Sequence, residues 1–180
     1  LNPEEVFTED GKNFFIKKNT SEKVKVGPSE SMSKSKKNTI DPEKIINEYG
    51  ADAARLFILS DSPPEKDVQW SDEGINSSYK FLNKLWMLNK KFMSEISKNH
   101  QKDSSLNLSK FTNQYLKKTT KNLNNFSYNV LIANLHEMCS YLNKELVNIY
   151  SSKTLKENYN KILITMLPII PHFASECLEI

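Results

Sequence analysis

Residues 128–149 read YNVLIANLHEMCSYLNKELVNI, and this stretch decides the fold. Tyr128, Leu131, Leu135, Met138, Leu142, Leu146 and Ile149 recur at spacings of three or four. Such spacing lines one face of a helix with about 3.6 residues per turn. The pattern extends in both directions. Upstream, Leu108, Phe111, Tyr115, Thr119 and Leu123 outline one more helix. Downstream, a helix runs from about Leu155 through Tyr159, Ile162, Leu163 and Met166 to Pro168, and Pro171 opens a further helical turn. Earlier still, Ser71 followed by Asp72 and Glu73 signals a helix start, with acid at the positive end of the helix dipole. Ile75, Tyr79, Leu82, Trp86, Met93 and Ile96 then suggest a long apolar stripe. Residues 100–105 are polar and read as a loop. From Ser71 onward the expectation is an antiparallel helical bundle, in a chain that is mainly α and without an internal repeat.

Before Ser71 the pattern changes. Asp10-Gly11 separates two β-prone runs, Val6 to Glu9 and Asn13 to Lys17, which is a hairpin signal. Gly27-Pro28 breaks the chain ahead of a polar stretch from Ser29 to Asn38. Asp41-Pro42 begins a helix carrying Ile45, Ile46 and Tyr49, with Gly50 as a left-handed cap. Asp52 is placed to cap a second short helix with Leu56, Phe57 and Leu59 on its apolar side, and Ser62-Pro63-Pro64 stops it. Asp67 to Trp70 reads as a short strand. Three parts are therefore expected: a small β element over 1–28, a loop-helix-helix connector over 29–70, and the bundle over 71–180.

Composition narrows the function classes. Hydrophobic residues make up 38% of the 180 and charged residues 26%, enough apolar material for a packed core. The net charge of +3 permits an anionic partner without demanding one. Arg55 is the only arginine, so base reading through guanidinium forks is not expected. Two cysteines, Cys139 and Cys177, make neither a disulfide framework nor a four-ligand zinc site. No apolar run reaches membrane-spanning length and no signal peptide opens the chain, so a cytoplasmic protein is expected. The chain opens on Leu1 and ends in helix-like sequence without a stop signal, as a piece of a longer protein would.

The sharpest chemical feature is Ser31-Met32-Ser33-Lys34-Ser35-Lys36-Lys37-Asn38. Composition alone reads it as a solvated lysine loop. A segment rich in hydroxyl and ammonium groups can also fold over polyphosphate. There an ammonium about 4 Å from a phosphate charge contributes roughly 4 kcal/mol at an effective dielectric near 20. Other candidates are blander. His136 and Cys139 sit three apart on a helix but lack further ligands, which favours packing over a metal site. Arg55 suits an internal ion pair with Asp52 or Glu48, or a contact to nucleic-acid backbone. His172, next to a helix start, reads as structural, and Trp70 and Trp86 read as core or joint aromatics rather than base-stacking platforms. Lys80 and Lys84 lie one turn apart on a helix and read as a solvated face.

Met32-Ser33-Lys34-Ser35 resembles the Lys-Met-Ser-Lys-Ser loop of class I aminoacyl-tRNA synthetases. Further blocks follow at the family's spacing: Lys36-Lys37-Asn38, Ile40-Asp41-Pro42, Tyr49-Gly50-Ala51-Asp52 and Arg55-Leu56-Phe57. Within the class, Ser62-Pro63-Pro64, Asp67 to Trp70, Gly74, Phe81-Leu82 and Leu85-Trp86 look most like the leucine enzyme. Pro168 to His172 with Glu176 resembles the proline–histidine turn of its anticodon-binding domain.

The resemblance implies a catalytic role for Lys34, stabilising ATP phosphates while leucyl-adenylate forms, within an ATP-binding set of Met32, Ser33, Lys34 and Ser35. Ser33 and Ser35 would contact phosphate or simply let the loop bend. Ser31 stands where the family usually has its first lysine, so Lys34 acts alone or Lys36 or Lys37 compensates. Lys80 and Lys84 become candidate tRNA contacts. The implied full-length enzyme is monomeric, takes ATP with Mg2+, leucine and tRNA(Leu), and binds no membrane. Its nucleotide-binding sheet and editing domain would precede Leu1, so the isolated piece is expected to bind no ATP and to be inactive. A valyl- or isoleucyl-tRNA synthetase, and a freestanding helical RNA-binding or protein-interaction module, are the alternatives.

Overall fold

The computed structural model describes residues 6–8, 15–20, 22–24, 30–36, 38–103 and 106–179. The chain packs as two compact units, Leu1–Ile45 and Ile46–Ile180.

In the first unit, β1 (Val6–Thr8) and β2 (Phe15–Lys17) pair antiparallel, with Val6 opposite Lys17 and Thr8 opposite Phe15. These are the two β-prone runs; the Asp10-Gly11 turn between them lies outside the described residues, as does Gly27-Pro28. A two-residue strand, β3 (Lys23–Val24), joins the free edge of β2 and completes the order β1-β2-β3. Two residues carry no readable period, so β3 has no signature in the sequence.

Helix α1 (Pro42–Tyr49) runs across the boundary between the units. Asp41 caps it as expected, its Oδ1 accepting the Glu43 N–H at 3.0 Å. Gly50 has the positive φ expected of it, 84°, but its ψ of 155° is extended rather than left-handed helical. Its N–H donates to the Ile46 carbonyl at 2.9 Å and its carbonyl accepts the Ala54 N–H at 3.3 Å. One residue thus closes α1 and opens α2 (Ala51–Asp61).

The second unit is the helical bundle. Its helices are α2, α3 (Asp72–Ser97), α4 (Asn107–Asn124), α5 (Tyr128–Glu145), α6 (Ser152–Met166) and α7 (Pro171–Glu179). Helix α5 supplies its centre: Leu131, Ile132, Leu135, Met138, Cys139 and Leu142 are buried, packed against α2, α3 and α4. Leu155, Tyr159, Ile162, Leu163 and Met166 of α6 are buried too. Tyr159 stacks on Phe92 of α3 with ring centroids 4.2 Å apart. Helix α5 stops at Glu145 instead of reaching Ile149, which is 53% exposed. The buried Tyr150 and a hydrogen bond from the Ser151 N–H to Asp103 turn the chain into α6.

Three local expectations are corrected. Asp67 to Trp70 is not a strand. Trp70 instead sets its ring edge-on to Phe57 at 5.3 Å, and its indole N–H donates to Asp72. The buried face of α3 is Ile75, Ser78, Phe81, Leu85, Leu88, Asn89 and Phe92, rotated from the stripe read in the sequence. Helix α3 packs on α2, α5 and α6, so its apolar arc is wide. Leu82, Trp86 and Ile96 lie on the margin of that arc, while Tyr79 is 41% exposed. Last, Asp52 does not cap its own helix; it faces the start of α7, as described below. Gly74 is required where it stands, because a Cβ there would come within 2.5 Å of the Phe57 ring. Among the described residues no helix is long and apolar enough to cross a membrane.

Candidate functional site

The lysine loop is shaped by its own polar side chains. Asn38 bridges it, accepting the Ser33 N–H on Oδ1 at 2.8 Å and donating from Nδ2 to the Ser31 carbonyl at 3.3 Å. Within this bridge, residues Lys34–Lys36 form a single 3-10 turn. The Ser33 hydroxyl accepts the Lys36 N–H at 3.3 Å and lies 3.2 Å from the Ser35 hydroxyl. Such side-chain-to-backbone bonds substitute for a regular ladder in short turns. Met32 is 48% exposed.

The lysines of the loop differ in their surroundings. The Lys36 ammonium lies 2.7 Å from Glu30 Oε2, and the hydrogen bond it donates holds the Glu30 carboxyl below its ordinary range. Lys34 is exposed, and no partner for its ammonium occurs among the described residues. Lys37 lies outside them. Of the two lysines named as substitutes for the missing one at Ser31, Lys36 is thus held by Glu30. That pair is open to solvent and salt, so it is weak.

In the bundle, Lys80 and Lys84 are exposed on α3, one turn apart. His136 of α5 stacks on Phe81 with ring centroids 3.6 Å apart. Partial desolvation of the ring, and then the nearby charge of Lys84, push the His136 pKa down. Cys139 is buried, and burial pushes its thiol up. No three His, Cys, Asp or Glu side chains gather as a metal-ligating group among the described residues.

A further polar cluster lies elsewhere, at the start of α2. Asp52 is buried, and its Oδ2 accepts the Phe173 N–H at 2.7 Å. Its Oδ1 lies 3.0 Å from His172 Nδ1 and 3.4 Å from the His172 backbone nitrogen. One turn on, Arg55 donates from Nε to the Ile169 carbonyl at 2.9 Å and from Nη2 to the Pro168 carbonyl at 2.8 Å. The carboxylate therefore caps the open N–H groups of α7, and the guanidinium caps the carbonyls that follow α6. Each charge has the sign that its helix end favours. Arg55 makes main-chain bonds in place of the ion pair expected with Asp52 or Glu48. The sequence holds one signal for this cluster: the residue before Pro171 is Ile170, which cannot cap a helix. A helix start without its own cap needs an acceptor from elsewhere. The part played by Asn38 has no such signal, since a bridging side chain in a turn leaves no period.

Comparison with known proteins follows these same segments. Residues 24–71 match the family described as tRNA synthetases class I (I, L, M and V), and residues 106–180 match the anticodon-binding domain of tRNA ligase. A leucine–tRNA ligase from Bartonella quintana is 36% identical over 182 residues, covering 96% of this chain and 21% of its own length. One from Neorickettsia sennetsu is 39% identical over 172 residues, covering 95% of this chain and 19% of its own. The fold also resembles a solved structure, the LeuRS–tRNA–LeuAMS ternary complex of Agrobacterium radiobacter K84. The TM-score is 0.70 at 20% identity, over 81% of this chain and 20% of that one, a likeness of fold. The chain spans about a fifth of the length of the curated relatives it matches. Sharing more than a third of its residues with them along almost its whole length, and matching both families in order, the chain belongs to the leucine–tRNA ligases of the class I synthetases.

Proposed function

We propose that this chain supplies the phosphate-handling loop and part of the tRNA-facing helical domain of an enzyme that joins leucine to tRNA(Leu). In that reading the full-length protein activates leucine with ATP, in the presence of Mg2+, and transfers it to tRNA. It works as a monomer in the cytoplasm. The division of labour runs along the chain: a β element over 1–28, the loop and its connector over 29–70, and the bundle over 71–180. The observation that carries the reading is the exposed Lys34 ammonium, unpartnered among the described residues, on a turn pre-shaped by Ser33 and Asn38.

The residues fit polyphosphate. Lys34 is the group that meets ATP phosphate charge as leucyl-adenylate forms. Its effect is largest when that charge develops on the departing pyrophosphate. Met32, Ser33 and Ser35 complete the binding surface, the two hydroxyls being free to exchange their mutual interaction for phosphate oxygens. With serine at position 31, Lys34 acts as the principal cation. On α3, Lys80 and Lys84 meet tRNA phosphates.

The test is Lys34→Ala in the full-length enzyme. Leucine-dependent pyrophosphate exchange should fall about 10²–10³-fold, the scale of removing one preorganised electrostatic donor. Transfer of leucine from preformed adenylate should change far less. Equal loss in both steps would mean structural damage and sink the assignment.

A further inference from the structure

Resting on the reading that the bundle meets tRNA, we propose that the cleft between α2, α3 and α5 is a base pocket: it takes one unstacked nucleobase of that tRNA, laid on His136 with its edge turned to Asp61.

Every group concerned lies within the helical unit. The cleft has a volume of about 240 Å³. An apolar cavity of roughly 150 Å³ already holds benzene, whereas pockets for larger ligands start near roughly 300 Å³, so one planar heterocycle is the fitting size. The floor is apolar and buried, formed by Leu56, Phe57, Phe81 and Ile132. The rim is polar and open, with Asp61, Ser77 and His136 all exposed. Phe81 and His136 stack with centroids 3.6 Å apart and planes 25° from parallel. Phe81 is buried, so the ring left accessible is the imidazole. Bases displaced from their own stack settle on aromatic or histidine rings in this way.

The polar groups of the cleft share one property: they accept. The Ser60 hydroxyl donates to the Phe57 carbonyl at 2.9 Å, Ser77 to Glu73 at 2.8 Å and Ser78 to Gly74 at 3.1 Å. Each proton is spent inside its own helix, and oxygen lone pairs remain for a ligand. Asp61 adds a carboxylate, one oxygen of which accepts the Ser62 hydroxyl at 3.2 Å. Acceptors alone repel a phosphate and favour the amino and imino N–H groups of a base. The cations stand further along α3. Lys84 follows Phe81 by about 4.5 Å of helix, and Lys80 precedes Lys84 by one turn. Lys84 is close enough for its charge to be felt at His136. Asp61, by contrast, lies one turn past Phe57, whose ring packs against Gly74 near the start of α3. The two ends of a nucleotide are thereby sorted: phosphate on Lys80 and Lys84, base inward with its donor edge toward Asp61.

The test uses the full-length enzyme and a tRNA(Leu) transcript. For His136→Ala, His136→Tyr and Asp61→Asn, three quantities are measured: tRNA affinity, its salt dependence, and leucine-dependent pyrophosphate exchange without tRNA. His136→Ala should weaken tRNA binding about 10-fold, within the range for one stacked base. Its salt slope should stay at the wild-type value, because stacking releases no counterions. His136→Tyr restores a flat ring and should bind nearly as wild type. Asp61→Asn should weaken binding about 5-fold, the scale of one good contact to a base edge. Removing a negative charge beside RNA would by itself strengthen binding, so a loss there is diagnostic. Exchange without tRNA should be unchanged in all three. Chemical probing of the unpaired tRNA bases gives a readout that general damage does not imitate. One base shielded by the wild-type enzyme should become reactive with His136→Ala and with Asp61→Asn, while the rest of the footprint stays. Wild-type affinity in His136→Ala, or an equal loss in His136→Tyr with no single base unmasked, overturns the proposal. If His136→Ala does not fold, Asp61→Asn decides, and unchanged or tighter binding there overturns it. Failure of the underlying reading looks different: replacing both Lys80 and Lys84 with Ala would then also leave tRNA affinity and salt slope at wild type. If only the base pocket is wrong, that double variant weakens binding and His136→Ala does not.

Discussion

Helix α5 and the lysine loop are held by opposite kinds of force. Helix α5 is fixed by Leu131, Leu135, Met138 and Leu142, whose contribution is removal from water and close packing. The loop is fixed by Asn38, Ser33 and Ser35, through a few exposed or half-buried hydrogen bonds of the kind that add about 1 kcal/mol each. The first region can be damaged only through its stability. The second can lose its chemistry while the protein stays folded. This difference separates residues that carry the fold from residues to which the proposed reaction is assigned, and it can be tested from either side.

The largest stability effect should come from α5. Leu135 and Leu142 are both fully buried. Either one changed to Ala should destabilise the folded protein by about 2–5 kcal/mol, the range for cavities left by buried leucine. Denaturant unfolding measures this directly. A loss below about 1 kcal/mol at both positions would mean that the bundle is not centred on α5.

That same contrast explains how much of the molecule is legible in its sequence. The faces of α5 and α6 can be read there because each position needs only to be apolar, whichever partner it meets. Helix α3 is legible as a helix, but its face is not. With α2, α5 and α6 all packed on it, Phe81, Leu85, Leu88 and Phe92 compete with Leu82 and Trp86 for places in the core, and spacing alone does not choose between two such stripes. The loop shows itself through Lys34 and its flanking serines, yet its bridging residue Asn38 does not. The bond between Asp52 and Phe173 joins positions 121 residues apart, and no local pattern in the chain can encode such a pairing.

An intermediate effect is expected where polar residues serve the fold rather than the reaction. Asp103 accepts the Ser151 N–H at 2.7 Å and the Thr154 hydroxyl at 3.0 Å, so it anchors the start of α6. The bond from the Ser151 backbone, with those from the Thr154 and Ser151 side chains, holds its carboxyl below the usual aspartate range against the opposing effect of desolvation. A carboxyl whose folded-state pKa is depressed stabilises the fold above its unfolded value, near pH 4, and loses that contribution as the pH falls through the folded pKa. Asp103→Asn should therefore reduce stability at neutral pH by about 1 kcal/mol or less, because the site is open to solvent. The gap from wild type should narrow below about pH 4. An equal gap at neutral pH and well below about pH 4 would show that charge plays no part in this anchor.

The smallest stability effect, and the clearest separation of fold from function, is expected at Lys80 and Lys84. Both side chains are exposed on one side of α3. They stand away from the buried face formed by Phe81, Leu85 and Leu88, so removing them leaves no cavity. Replacing both with Ala should shift stability by less than about 0.5 kcal/mol. Two flexible cations suit phosphate backbone rather than base edges, so they would position tRNA without reading its sequence. Removing one lysine–phosphate pair takes close to one unit from the dependence of log affinity on log salt. In the full-length enzyme the double variant should therefore bind tRNA more weakly, with a slope shallower by up to about two. Leucine activation without tRNA should be unchanged, because the role proposed for Lys34 in that step does not involve these two lysines. If affinity and salt slope both stay at their wild-type values, the two lysines are a solvated face, and the surface that meets tRNA must be sought on another side of the bundle.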